Sequence, residues 1–343
     1  MTDTVPHSLS WVDQLTGWID RLRIPNWAFY VLAYLATVAM THTASWIDGV
    51  DQWGEINPIW LLGPVWTVIP LVFIHYLATE SGKAMDRFSV LIADQPGAAA
   101  ALRRRMTTMP RLPVLWMFVI AAVAIPIWLL ADRAVVYEGV QHPVSIVFVL
   151  AAAVPAYVFG AIGAYFGFHL LLSIPAAYRL VDPIDPYHQL PLHALSGVAL
   201  RFGLFALLLL NLSLVDMAIG VERSETVVAV GFLVGVLVVA FALFLAPLWG
   251  VHRRLKDARR DILERNRLAI AESQEGHHQR SRGDDSGRVD AVGNSLIGFD
   301  GTSDDPREIR TWPWPKGAFV FFLAAVIIPI ALWAFLFWGA GVF

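Results

Sequence analysis

The side chains that could do chemistry in this chain are few, and most are histidines and acids. His75 and His169 each lie five or six residues from one end of an apolar run, at matched depth on the same side. Two imidazoles placed so could ligate a haem. His188 and His193 share a polar segment with Asp182 and Asp185, a donor set that suits a metal, although the spacing fits no metal box. The competing account, interfacial histidines bonded to their neighbours, is the one the pattern favours. A second constellation is polar but neutral. Asn211 and Asp216 fall toward one end of their helix, and with Thr41, Ser45 and Tyr157 they outline an outward-facing polar cavity for a small ligand. The alternative is a buried hydrogen-bond network that fixes helix register. No HExxH, GxSxG, Walker A or dinucleotide fingerprint occurs, and the absence of cysteine excludes thiolate chemistry and Cys-type zinc. No catalytic residue and no cofactor is expected.

The elements that must position these residues are membrane helices. Hydrophobic residues make up 57% of the 343, and mean hydropathy is +0.58. Apolar runs long enough to cross a bilayer recur at about 26–46, 58–79, 113–131, 143–175, 201–220 and 225–250, and once more after Gly317. The expected fold is all-α, a polytopic membrane bundle of seven transmembrane helices. In the first span Tyr30, Tyr34, Thr37, Thr41 and Ser45 follow helical spacing and form one polar stripe. Such a stripe faces protein or water, either packing with local hydroxyl-to-carbonyl bonds or lining a pocket. The fourth span would be about 50 Å long against a hydrocarbon core of about 30 Å, so it tilts, kinks near Pro155 or projects. Gly160, Gly163 and Gly167 lie on one of its faces and allow close helix approach.

Charge gives the orientation. Lys83, Arg87, Arg103, Arg104, Arg105 and Arg111 fall between spans 2 and 3, and Arg253 to Arg267 follow span 6. The alternate loops carry only Arg133 and Arg223. The positive-inside rule therefore puts the N-terminus inside and the C-terminus outside, with helices 4 and 6 extended into the cytoplasm. Residues 1–25 read as a cytoplasmic amphipathic helix with Trp11, Leu15, Trp18 and Leu22 on one face, and 26–250 as a six-helix transmembrane bundle. Residues 251–272 continue helix 6, 273–305 form a disordered insert, and 306–343 hold a cytoplasmic half-helix, a hinge at Pro313 and Pro315, and the last span. Nothing points to nucleic acid, because the basic residues are juxtamembrane.

Seven spans with the N-terminus inside, an overlong span 4, a span 6 running into the cytoplasm and a last span split at WPWP together resemble, in topology, the seven-transmembrane ion channels of the insect odorant- and gustatory-receptor superfamily. The resemblance implies subunits joined through the cytoplasmic extensions, a homo-oligomer with the last span around a pore, and a ligand among the outer helix halves. The helix 7 signature of those channels is not found in residues 316 to 341, and the last span carries no Ser, Thr, Asn or Gln. A non-conducting scaffold, a transporter and a bis-histidine redox protein using His75 and His169 are the alternatives.

Overall fold

The computed structural model describes residues 9–131, 140–181, 189–220, 226–281, 312, 317, 319–327 and 331. Every regular element among them is helical: α1 (Trp11–Ile19), α2 (Asn26–Ile47), α3 (Pro58–Phe88), α4 (Pro96–Thr107), α5 (Arg111–Ala131), α6 (Pro143–Arg179), α7 (Gln189–Gly220) and α8 (Thr226–Ser281). Five of these carry stretches long and apolar enough to cross a bilayer: Pro58–Ile92, Arg111–Trp128, Pro143–Arg179, Pro191–Ser213 and Leu237–Arg265. That is consistent with an integral membrane protein.

α3 is the central helix. It packs against α2, α6 and α7, and turns through a short 3-10 segment, Ser89–Ile92, toward α4. Phe73 stacks on Phe205 of α7 at 3.5 Å between ring centres, and Phe88 meets Tyr178 of α6 edge-on. α5 is the peripheral helix. Its Leu112, Trp116, Ile120, Val123 and Ile127 are all exposed, the surface a lipid-facing helix presents.

Helix boundaries follow local chemistry. A capping box starts α1: Ser10 Oγ accepts from Asp13 N while Asp13 accepts from Ser10 N. The helix spans only Trp11–Ile19, and its buried seam is Val12 and Ile19, with Leu15 half-buried beside them. The face expected from Trp11, Leu15, Trp18 and Leu22 is therefore rotated, since Trp18 is half exposed. Aromatic residues at a membrane interface gain from staying at the wet boundary, so they do not define the core side. α4 lies in a stretch read only as a basic connection, where Pro96 at the first turn and the i, i+4 pair Leu102 and Met106 were the signal. α7 begins at Gln189, upstream of the expected start, with Pro191 in its first turn; a proline is tolerated there because the first amides have no helical acceptor. Pro183 and Pro186 lie outside the described residues.

α8 is one helix from the bundle to Ser281, running past the expected end at 272. Residues 282–305, Pro313 and Pro315 lie outside the described residues. Trp312 stacks on His252 at 3.9 Å, and Phe322 stacks on Phe244 at 4.5 Å. Rising residue numbers in the closing segment thus meet falling numbers in α8, and residues 319–327 pack antiparallel to it.

The glycine face of α6 serves two neighbours. A Cβ at Gly163 would touch Ile74 of α3 at 3.6 Å, and one at Gly167 would fall inside the Phe202 ring of α7. Gly160 has open space around it.

Candidate functional site

Polar side chains collect at the two ends of the bundle, which differ in charge. One end gathers the start of α1, the end of α3, α4, the start of α5, the end of α6 and the α8 residues near 254. The ties that place them together are Asp13 to Met109 N (3.1 Å), Gln95 Nε2 to the Leu180 carbonyl (3.4 Å) and Arg254 Nη1 to the Tyr178 carbonyl (2.6 Å). This is the basic end. The other end holds the α2–α3 connection and the start of α6, joined through Asp48, and is the acidic end.

At the basic end a hydrogen-bonded chain enters the bundle. Asp20 closes α1, and its Oδ1 accepts from Asn26 Nδ2 at 2.8 Å. The same oxygen lies 3.0 Å from His75 Nε2 of α3. A carboxylate only accepts, so Nε2 carries the proton; in neutral imidazole Nδ1 is then bare. Tyr30 O–H of α2 donates to it at 2.6 Å. The chain leads from a carboxylate 56% exposed to an imidazole 9% exposed and then to a buried phenol. Both nitrogens of His75 are occupied, so ligating iron would require giving up the bond on whichever nitrogen met the metal.

His169 makes a different contact. Its Nε2 meets the Arg105 carbonyl of α4 at 3.2 Å, and its ring stacks on Tyr165. The two histidines thus tie α3 to the α1–α2 junction and α6 to α4. His188, Asp182 and Asp185 lie outside the described residues, and among those described no three His, Cys, Asp or Glu are grouped to hold a metal. A third tie joins α7 to α3: Arg201 donates to Tyr76 Oη (3.0 Å) and pairs with Glu80 Oε2 (2.9 Å), while Glu80 Oε1 pairs with Lys83.

At the acidic end the organising group is Asp51. It accepts from Ser45 Oγ, from Asn57 Nδ2 at 3.0 Å and from Trp60 Nε1 at 2.7 Å. Burial works against its ionisation, but the Ser45, Asn57 and Trp60 bonds and the nearby His42 ring outweigh it and hold the carboxyl below its ordinary 3.8. Asp48 Oδ1 accepts from the backbone N–H of Gln141 (3.1 Å) and His142 (2.7 Å), just ahead of α6. Burial again opposes ionisation. The Ser145 hydroxyl, placed outside good hydrogen-bond geometry, joins those two amides in lowering the Asp48 carboxyl.

The α2 stripe faces α3. Thr41 Oγ1 donates to the Trp60 carbonyl (3.2 Å) and Tyr34 Oη to the Leu61 carbonyl (3.1 Å). Pro64 has no N–H for the Trp60 carbonyl four residues back, and Thr41 donates to that carbonyl from the neighbouring helix. Thr37 bonds its own helix at Ala33.

The residues expected to line an outer cavity separate into groups. Thr41 and Ser45 are buried together beside Asp51 and Trp60. Tyr157 is 43% exposed and sits edge-on to Trp128. Asn211 Nδ2 donates to the Leu207 carbonyl one turn back. The Asp216 side chain lies outside the described residues. Asp20 and Asp51, the acids that gather these polar contacts, do not stand out in the pattern of the sequence. For Asp51 the signal was its short spacing to Ser45, Asn57 and Trp60; for Asp20 no local signal existed. No protein-family model, curated protein or solved structure matches this chain.

Proposed function

We propose that this chain crosses the membrane seven times, amino terminus in the cytoplasm and carboxyl terminus outside, and works as one subunit of an oligomeric receptor-like sensor or channel. To the five apolar helices the proposal adds α2 and the helix that starts near Phe319. Trp27 and Trp46 bracket α2 about 28 Å apart, close to the thickness of a hydrocarbon core, and Val31, Leu32 and Leu35 are exposed between them. The basic end, on this reading, is cytoplasmic. The outer polar cluster around Asp51, Thr41 and Ser45 is the side of ligand access.

The observation that carries the proposal is α8. Its 56 residues make a rod about 84 Å long, far more than a bilayer needs. The surplus leaves the membrane as a charged helix with exposed Leu268, a surface suited to joining subunits. One observation favours the non-conducting scaffold as a second reading. Phe322 and Val326 of the closing segment are buried, and its free face is Val320, Phe321 and Ile327. A path lined by such residues is a hydrophobic constriction that conducts only when it wets. The test is the mass of the detergent-solubilised particle together with current across planar bilayers. An oligomer with current is the expected result for a channel, and an oligomer without current selects the scaffold. A strictly monomeric particle overturns the reading.

A further inference from the structure

We infer that the corner between α4 and α5 is a docking site for anionic phospholipid headgroups, made by Arg104, Arg105 and Arg111 above the exposed ring of Trp116. α4 buries Leu102 and Met106 in the main core, which leaves Arg103, Arg104 and Arg105 on its exposed side. Three of the other cations at this end are paired. Arg103 holds Asp86, and Lys83 and Arg201 share Glu80. Among the described residues no carboxylate pairs with Arg104, Arg105 or Arg111.

The backbone that carries these three guanidiniums is fixed from several sides. Met109 is buried and its N–H donates to Asp13 Oδ2 at 3.1 Å; Leu9 bridges to Pro110; the Arg104 carbonyl accepts from Thr108 N–H at 2.9 Å; and the Arg105 carbonyl meets His169. A held corner loses little freedom when an anion docks. Guanidinium groups match phosphate oxygens in pairs and remain charged at any physiological pH.

The occupant is a lipid rather than a soluble anion because of what lies next to the charges. Leu112 is 66% exposed and Trp116 62% exposed, one turn further along α5, and the exposed apolar face continues to Ile127. A layer of cations directly above an indole and an alkyl surface is the profile of the headgroup–acyl boundary. An acidic soluble partner would meet the arginines and leave that apolar face uncovered. The inference is independent of whether the protein conducts or oligomerises.

The test uses the full chain in mixed micelles, with retention of phosphatidylglycerol against phosphatidylcholine read by native mass spectrometry. Wild type should prefer phosphatidylglycerol. The triple variant R104Q/R105Q/R111Q should lower that preference about a hundredfold, and single variants about fivefold each. R103Q should leave it unchanged, because that cation is committed to Asp86. Inorganic phosphate at matched concentration should fail to compete. Equal retention of the two lipids by wild type, an equal loss in R103Q, or full competition by free phosphate would each overturn the site. Should the triple variant fail to fold, the three single variants, each compared with R103Q, distinguish the same outcomes.

Discussion

The Asp51 cluster at the acidic end and the clamp at the basic end are built in opposite ways. Around Asp51 the partners are close in sequence: Ser45 is 6 residues away and Trp60 is 9. At the basic end the partners are remote. Asp13 and Met109 are 96 apart, Arg254 and Tyr178 are 76 apart, and Arg201 and Tyr76 are 125 apart. Closing a short connection costs less chain entropy than closing a long one, so the Asp51 cluster can form once α2 and α3 pair. The basic end needs α1, α3, α4, α6, α7 and α8 docked before its bonds exist. The Asp51 cluster is therefore a local knot, although Asp48 beside it reaches 93 and 94 residues to Gln141 and His142, and the basic end is a clamp. They also differ in how they hold acid. Burial pushes the Asp13 carboxyl up despite its bonds to Ser10 and Met109, whereas Asp48 and Asp51 are held down.

The largest expected effect comes from cutting the knot. Asp51→Ala strips an acceptor from Ser45, Asn57 and Trp60 at once and should destabilise the protein by about 3 kcal/mol, measured as thermal unfolding in detergent. Hydrogen exchange should rise at the α2–α3 connection and stay unchanged in α1. Loosening of α1 in that variant would erase the distinction between the two ends. His75→Phe is the reciprocal cut. It leaves Tyr30 Oη buried without a partner and should cost about 2 kcal/mol, with exchange rising in α1. Adding Tyr30→Phe should return most of that loss; a double variant no better than the single one would mean that the hydroxyl finds another partner.

The smallest effect is the response to acid, and its sign differs between the ends. For Asp48 and Asp51 the folded value lies below 3.8, so their contribution is complete above that pH and is lost as pH falls through the folded values. For Asp13 the folded value lies above 3.8, so the folded state takes up a proton first and gains relative stability as pH drops through that value. Exchange measured from neutral pH down into the acid range should show the acidic end opening before α1. An α1 that opens first would break the comparison.

The legible parts of this protein share a physical cause. Membrane helices declare themselves through the length of an apolar run, because a bilayer demands it, and the long apolar stretches of α3, α5, α6, α7 and α8 lie where such runs fall. The hydroxyl stripe of α2 follows helical spacing, so it was visible before its partners were. Its contact with α3 through Thr41 falls at the Trp60 carbonyl, to which Pro64 brings no N–H. The glycine face of α6 was equally visible, yet only Gly163 and Gly167 meet a neighbour. Spacing shows that a helix can be approached; it does not show where another helix crosses it.

By itself, the chain's order of residues determined an all-helical protein with apolar stretches, a helix longer than a bilayer needs, and a segregation of basic from acidic connections. Each is set by chain length or by local composition, and each survives any choice of helix neighbours. Only the tertiary structure decided that His75 bonds Asp20 and Tyr30 while His169 goes to α4, and that Thr41 and Ser45 gather at Asp51 while Tyr157 sits on Trp128. Those outcomes depend on which helices touch and at what rotation. No periodicity within one helix encodes that, because the partner oxygens and rings lie on other helices.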